Sequence, residues 1–269
     1  MPTRQWAALA PCLAIAIVLA GGAAAADLKF APHRAVYDLS LARSDPTGAV
    51  TSLRGRLVME FNDVCEGYTL NQRIRTEAAD MDGNARITDF TISSWESRDG
   101  KRFRFNLHNE VDGQLVEDYA GKAELTPEGG TVEMTKPEEQ SIKLPPGTVF
   151  PTEHLGILIR DGRAGKEFAS VSVFDGAGEG GVYKTGAHIG KPIAPETAKA
   201  SPLAQLKGLA SWPVRIAYFP RIDHAETPDY EIGLRLFENG ISGDLVLDYG
   251  DFAMKGALVK LDLLPDPGC

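Results

Sequence analysis

The sequence predicts an all-β protein built on one large, curled antiparallel sheet of about fourteen strands, with one or two short helices. Apolar and polar residues alternate over short segments from residue 33 to the end of the chain, which is the period of half-buried strands. Twenty-eight glycines and 17 prolines are spread along the chain and mark turns between these segments. The pattern favours a meander of short strands over a helical fold.

Length and charge narrow the class of protein further. The chain has 269 residues and a formal charge of −9 at pH 7. All-β barrels and sandwiches of about 200–250 residues are commonly single domains, so residues 27–269 are predicted to form one domain. The acidic balance disfavours nucleic acid, which needs a basic surface, and disfavours passive binding to an anionic membrane.

The first 26 residues have the pattern of a secretory signal peptide. Arg4 supplies a positive charge, Trp6–Ala20 is almost wholly apolar, and the small residues Gly21–Ala26 follow. The apolar run is shorter than the 18 or more residues of a typical spanning helix, which disfavours a retained membrane anchor. We expect export and cleavage near Ala24–Ala26.

The first half of the exported chain predicts a series of strands joined by tight turns. Tyr37, Leu39 and Leu41 alternate with polar residues and begin the series. Turn pairs such as Asp82-Gly83 separate the later segments. These segments are Leu53–Phe61, Tyr68–Ile74, Arg86–Trp95, Phe103–Leu107, Gln114–Tyr119 and Val132–Met134.

A helix is predicted in the middle of the chain, after the break at Pro145-Pro146-Gly147. Proline at position 151 suits a helix start, and Thr152 is a suitable N-cap. Leu155, Leu158 and Ile159 then fall on one helical face. Arg160-Asp161-Gly162 is predicted to end the helix.

Strands resume after this helix, with Lys166–Phe174 and Val182–Ile189 joined by the glycine-rich segment Asp175–Gly181. That segment lacks the Lys-Ser/Thr of a phosphate-binding loop, so a flexible hairpin loop is the better interpretation. Ser201-Pro202 predicts a second, short helix, because proline is favoured at the first helical position. Val214–Phe219 and Tyr230–Phe237 follow as strands.

The last two predicted strands are Ile241–Tyr249 and Phe252–Leu264, joined by a turn in which Gly250 can take a positive φ. The apolar parity of the last strand shifts between Leu258 and Val259. A β-bulge or burial on both faces would account for this shift.

The cysteines predict a structural disulfide. Removal of the signal peptide takes away Cys12 and leaves Cys65 and Cys269. Two cysteines in an oxidising compartment usually pair, although two free thiols remain the alternative. Neither lies in a Cys-x-x-Cys motif, so a redox-catalytic role is disfavoured.

No catalytic constellation or metal-ligand spacing stands out, and we predict no catalytic residues, no metal and no cofactor. Glu153-His154 is an adjacent acid–histidine pair, for which capping or hydrogen bonding is favoured over catalysis. His224, near Glu226 and Asp229, is more typical of a solvated loop than of a metal site. A triad assembled in space would make His154, Glu153 and His224 the first candidates for a hydrolase.

Alternation places many apolar side chains on one face of the predicted sheet. In a packed barrel they fill the core, which is the default, and in a roomy barrel they line a lipid-sized cavity. The candidate lining residues are Phe61, Phe90, Phe103, Phe105, Leu245 and Tyr249.

Three segments resemble the cell envelope integrity protein B (EipB) family of alphaproteobacteria: Ala31–Leu39, Phe150–His154 and Gly243–Tyr249 with the terminal cysteine. The resemblance implies a periplasmic protein whose antiparallel sheet is wound into a spiral or open barrel, similar to the lipoprotein carriers LolA and LolB. It also implies a disulfide between Cys65 and Cys269. It assigns no catalytic residues.

Three functions follow as hypotheses. The first is a non-enzymatic periplasmic protein that supports envelope integrity through contact with a periplasmic or outer-membrane protein, or with lipid. The second is a lipid or lipoprotein carrier, and the third is an envelope-modifying hydrolase.

Overall fold

The computed structural model describes residues 28–46, 50–177, 181–195, 201–220 and 226–269. The predicted signal peptide, residues 1–26, lies outside this part of the chain. Within it, fifteen strands form a single sheet. The number is one more than the approximate prediction, and the all-β prediction is confirmed.

The first eight strands form an antiparallel meander in which each strand pairs with the next along the chain. Their bounds are β1 His33–Ser44, β2 Ser52–Asp63, β3 Gly67–Ala79, β4 Ala85–Ser97, β5 Arg102–Val111, β6 Gln114–Thr126, β7 Gly129–Lys136 and β8 Gln140–Leu144.

The remaining seven strands continue the sheet from the other side of β1, where β15 is its neighbour. All of them pair antiparallel except β9 and β10, which are parallel. Their bounds are β9 Thr148–Val149, β10 Phe168–Phe174, β11 Val182–Ile189, β12 Ser211–Pro220, β13 Tyr230–Phe237, β14 Ser242–Asp248 and β15 Phe252–Leu263.

The sheet is nearly closed into a barrel, with one seam between its edge strands β8 and β9. Aromatic side chains meet across this seam. The ring centroid of Phe174 at the end of β10 lies 5.4 Å from that of Phe105 and 6.1 Å from that of Phe103, both on β5. Side-chain packing therefore joins the two sides where the strand ladder ends.

The first and last strands pair along most of their length, from His33 opposite Leu263 to Ser44 opposite Phe252. The register slips by one residue at Val259, which has no partner on β1. The parity shift in the sequence is therefore a β-bulge, one of the two predicted explanations.

The two faces of the sheet differ in chemistry. On β1, the side chains of Ala35, Tyr37 and Leu39 are buried on the inner face. The outer face carries charged side chains that form ion pairs between neighbouring strands. Opposite charges in these positions stabilise the sheet, whereas like charges would destabilise it. These pairs include Arg34–Glu60, Arg56–Asp38, Arg54–Glu77 and Arg73–Asp89.

One α-helix, α1, spans Pro151–Arg163 and begins where the sequence predicts. The sequence predicts Thr152 as the N-cap, and this prediction is wrong. The cap residue is Phe150, whose side chain cannot accept a hydrogen bond. The carboxylate of Glu96, on β4, caps the helix instead, because its two oxygens accept bonds from the backbone N–H groups of Thr152 and Glu153 (2.7 and 3.0 Å). The helix also continues one residue beyond Gly162.

The second predicted helix is a 3-10 helix, Pro202–Leu206, and the hydroxyl of Ser201 accepts a bond from the N–H of Leu203 (3.1 Å). It lies at the same end of the barrel as α1, which we call the helix end. Within the described ranges, no helix has the length and hydropathy needed to cross a membrane.

Candidate functional site

The helix end of the barrel is filled with packed side chains. Leu158 and Ile159 of α1 are fully buried and pack in one cluster with Trp212, Val214 and Leu236 from β12 and β13. The α-carbon of Gly162 lies so close to the Trp212 indole that an added Cβ would be 3.0 Å from it. At this end the default prediction of a filled core is correct.

Farther from α1, apolar side chains on the inner face keep accessible surface. Register places Phe90 on the same face as Ile74 and Ile92, and all three are only partly buried. On the far side of the sheet, Leu245 and Leu247 of β14 are likewise partly buried. We call the inside of the barrel that these side chains face the lumen.

Four tyrosines pack together on the inner face, and Tyr183, Tyr218 and Tyr230 belong to the same cluster as Leu158 and Ile159. Tyr218 and Tyr230 stack at 4.5 Å, and Tyr183 meets both rings edge-on at 5.8 and 5.7 Å. Tyr249 follows at 6.3 Å from Tyr230. Burial raises the pKa of Tyr249 although 41% of its surface is accessible. Both properties are met by a side chain that faces an enclosed space.

A carboxyl group lies near this tyrosine cluster. Asp175 directly follows β10, and its Oδ1 accepts a bond from the N–H of Ala177 (2.9 Å). Burial raises the pKa of Asp175 to about 6. Register places Tyr183 opposite Val173, two residues before Asp175. Burial raises the pKa of Tyr183 and of Tyr218, and the charge of Asp175 adds to both shifts.

A second acidic group, Glu117, lies on β6 opposite Asn109 of β5. Its charge is the last-ranked cause of the raised pKa of Tyr183, after burial and the charges of Asp175 and Asp229. Its Oε2 accepts a bond from Nδ2 of Asn109 (2.7 Å). Oδ1 of Asn109 is buried and has no hydrogen-bond partner among the described residues. The bond from Asn109 thus joins the two neighbouring strands β5 and β6.

The six predicted lining residues divide between the core and the lumen. Phe103 and Phe105 are buried in the cluster at the seam. Phe61 is buried at the helix end, 5.5 Å from Tyr68. Phe90, Leu245 and Tyr249 keep accessible surface on the inner face. A ligand-lining role for any of the six stays a prediction.

Of the residues first considered for hydrolase chemistry, Glu153 and His154 are described, and each has its own separate contact. Burial lowers the pKa of His154 to about 4, and its Nε2 lies 3.5 Å from the hydroxyl of Thr185. The carboxylate of Glu153 pairs with Arg160. His224 lies outside the described residues. Among those residues, no group of three or more potential metal ligands occurs.

The disulfide joins Cys65, in the turn between β2 and β3, to Cys269. Arg98 holds this turn: its Nε donates to the carbonyl of Cys65 (2.6 Å), and its guanidinium pairs with Asp63. Cys65 itself has a positive φ of 65°. The disulfide thus attaches the C-terminus to a strained turn held by an arginine.

The tyrosine cluster was not predicted from the sequence, which predicts only a flexible hairpin loop at Asp175–Gly181 and the strands that contain Tyr183, Tyr218 and Tyr230. Their shared parity on β11, β12 and β13 was the available signal, because it places all three rings on the inner face. Nothing in the sequence links Glu117 with them.

The fold defines a β-barrel-like protein whose inner face carries apolar side chains, some of them partly accessible. A family model described as EipB-like matches residues 24–265. The chain belongs to this family.

Two similar proteins carry the comparison further. The cell envelope integrity protein EipB of Brucella abortus (strain 2308) is 41% identical over 249 residues, which cover 91% of this chain and 88% of the relative. A crystal structure of a beta-barrel-like protein of a domain of unknown function from Brucella abortus is 37% identical, with a TM-score of 0.81. The match covers 88% of this chain and all of that one.

Proposed function

We propose that this protein supports the integrity of the cell envelope from the periplasm, without catalysis, by binding an apolar or amphipathic envelope component in its lumen. The accessible apolar surface at Phe90, Ile92 and Leu245 carries the proposal. Apolar side chains around a few polar groups in a concave space are the usual surroundings of a small-molecule ligand.

The location is supported by three observations. The relative in Brucella abortus is named for cell envelope integrity. Residues 1–26 have the pattern of a signal peptide. The disulfide between Cys65 and Cys269 is of the kind that persists in oxidising compartments such as the periplasm.

Two substitutions on neighbouring residues of β14 test the lumen. Leu245 is on the inner face, and Val246 is on the outer face. Leu245→Trp should fill the lumen and weaken binding of the fluorescent apolar probe 1-N-phenylnaphthylamine about tenfold, or about 1.4 kcal/mol. Val246→Trp adds the same ring outside and should leave the affinity unchanged.

Native mass spectrometry of protein purified from cells, followed by lipid extraction, should show a bound amphiphile. Absence of both a copurified ligand and probe binding would contradict the proposal. Equal affinities of the two tryptophan variants would place the probe outside the lumen and contradict it as well.

Contact with an envelope protein is a second candidate function, and one surface feature favours it. A depression of about 530 Å³ lies on the outer face of β10–β13. Phe168 borders it with 70% of its surface exposed, beside His188 at 5.3 Å between ring centroids. Crosslinking of a phenylalanine-to-benzoylphenylalanine variant at position 168 in cells would identify such a partner. If it captures no envelope protein, this candidate fails.

A further inference from the structure

The seam edge of β10 is only partly covered. β9 consists of two residues, and they pair with Ser172 and Val173 of β10. Within the described ranges, no strand lies beside residues 168–171 on this side, because β9 is the last strand of the sheet. The first half of β10 is therefore an open strand edge.

The hydrogen bonds to β11 determine which backbone groups this edge presents. Phe168 lies opposite His188, and the N–H of Ile189 donates to the carbonyl of Glu167 (2.8 Å). In an antiparallel ladder, this bond makes Phe168 and His188 a pair without hydrogen bonds between them. The N–H and C=O of Phe168 consequently point away from β11, toward the seam.

The same alternation turns the N–H and C=O groups of Ser170 and Ser172 toward the seam. Ser172 pairs there with Thr148 of β9. Phe168 and Ser170 each present an N–H and a C=O that have no strand partner among the described residues. An open row of such groups is a template for pairing with another chain.

The depression on the outer face begins at this open edge. Phe168 borders it with 70% of its surface exposed. Its floor is made of small residues, since register aligns Ser170, Gly186 and Ala217 across three strands. A Cβ added at Gly186 would have one described neighbour within 4 Å, a ring carbon of Phe219 at 3.9 Å. A large side chain that enters from the edge therefore has room above this glycine.

The open backbone and the depression together specify a polypeptide in extended conformation. Such a chain presents N–H and C=O groups to one side at every second residue and places alternate side chains on one face. An acyl chain has no such groups, so the edge favours a polypeptide over a lipid.

Resting on the second candidate function, contact with an envelope protein, we infer that an extended segment of another protein adds as a strand to the open edge of β10. The segment pairs with Phe168 and Ser170, and one of its large apolar side chains lies in the depression over Gly186. In strand addition, main-chain hydrogen bonds supply affinity and a side-chain pocket supplies specificity.

A fluorescein-labelled peptide, Thr-Lys-Thr-Phe-Thr-Lys-Thr, tests the pairing. It has high strand propensity, one large apolar side chain, and lysines that keep it soluble. Fluorescence anisotropy should give a Kd of about 1 mM or tighter, because the open edge is short. Replacement of the peptide phenylalanine by alanine should weaken binding at least about tenfold, since burial of the ring is lost.

N-methylation of the peptide separates strand addition from binding of the side chain alone. The N–H groups of successive residues in a strand point to opposite sides. One peptide is therefore methylated on its even-numbered residues and another on its odd-numbered residues. One of the two should lose binding and the other should keep it. Equal loss with both peptides, or retention by both, would overturn the inference.

Two glycine variants assign the side-chain pocket. Gly186 and Gly233 both lie on the outer face, and the nearest described neighbours of an added Cβ are 3.9 and 3.6 Å away. Of the two, Gly186 borders the depression and Gly233 does not. Gly186→Val should weaken peptide binding at least about tenfold, and Gly233→Val should leave it unchanged. Equal effects of the two would place the peptide elsewhere, and near-ultraviolet circular dichroism verifies that both variants are folded.

The outcomes separate this inference from the proposals made above. Binding of 1-N-phenylnaphthylamine to the lumen, measured on the same samples, should not change with Gly186→Val. If no peptide binds while the benzoylphenylalanine variant at position 168 captures an envelope protein, strand addition is wrong and the contact function stands. If neither occurs, both fail. If the protein forms dimers that Gly186→Val abolishes, the edge is occupied by a second copy of this chain and the inference is overturned.

Discussion

At the scale of single residues, buried carboxyl groups hold distant parts of the chain together. Glu96 comes from β4 and caps a helix that begins more than fifty residues later along the chain. Burial raises its pKa to about 7, against the opposing effect of the two backbone N–H bonds. Burial therefore destabilises the charged form of Glu96 relative to its protonated form.

The sign of this shift predicts a pH dependence for Glu96→Gln. A folded-state pKa above the usual 4.5 means that the contribution of Glu96 to stability is full below about pH 4.5. That contribution is lost as the pH rises through about 7. The stability advantage of the parent over the variant should thus shrink by about 1–3 kcal/mol between pH 4.5 and 8.

Urea unfolding at several pH values measures this difference. Glu153→Gln is the matched control, because Glu153 is half-exposed on the same helix turn and pairs with Arg160. An unchanged gap between the parent and Glu96→Gln across the pH range would show that Glu96 does not take up a proton on folding.

At the scale of elements, α1 depends on one close contact with the sheet. Gly162 faces the buried Trp212 ring, whereas Gly156 faces the movable end of the Arg160 side chain and Leu28. In an exposed helix, glycine-to-alanine substitution stabilises by about 1 kcal/mol through backbone entropy. The two glycines therefore give opposite expectations on one helix.

Gly156→Ala should be neutral or stabilising by up to about 1 kcal/mol. Gly162→Ala should destabilise by about 1–3 kcal/mol, because a buried indole packed on both sides cannot move away from the added methyl group. Thermal unfolding of both variants measures the contrast. Equal melting temperatures would mean that α1 can shift away from Trp212.

The elements were largely predictable from the sequence, and the reasons are local. The strand alternation, the start of α1 at Pro151 and the Ser201-Pro202 cap depend on residues within a few positions of each other. The true cap of α1 was not predictable, because Glu96 is distant in sequence and approaches only when the barrel curls. The same applies to the contact of Phe174 with Phe103 and Phe105, which the closure at the seam produces.

At the scale of the whole molecule, the disulfide joins residues separated by 204 positions. In the chain-entropy model, a loop of this length stabilises the folded state by about 5 kcal/mol, and strain commonly lowers the measured value. Cys65→Ser should therefore lower the free energy of unfolding by about 2–5 kcal/mol under oxidising conditions. Denaturant unfolding measures this loss.

Reduction supplies the control for that substitution. A reducing agent should lower the stability of the parent and leave the double variant Cys65→Ser, Cys269→Ser unchanged. A parent that is as stable reduced as oxidised would show that the bond adds nothing to stability, since Arg98 and Asp63 already hold the turn around Cys65.

The pairing of β1 with β15 has a consequence for the synthesis of the chain. One of the two edges of β1 stays unpaired until the last strand of the chain joins the sheet. An open strand edge is a template for aggregation. A chain truncated before Phe252 should leave two further open edges, on β1 and β14, besides the seam edges of β8 and β9, so we expect it to aggregate and not to form a smaller barrel.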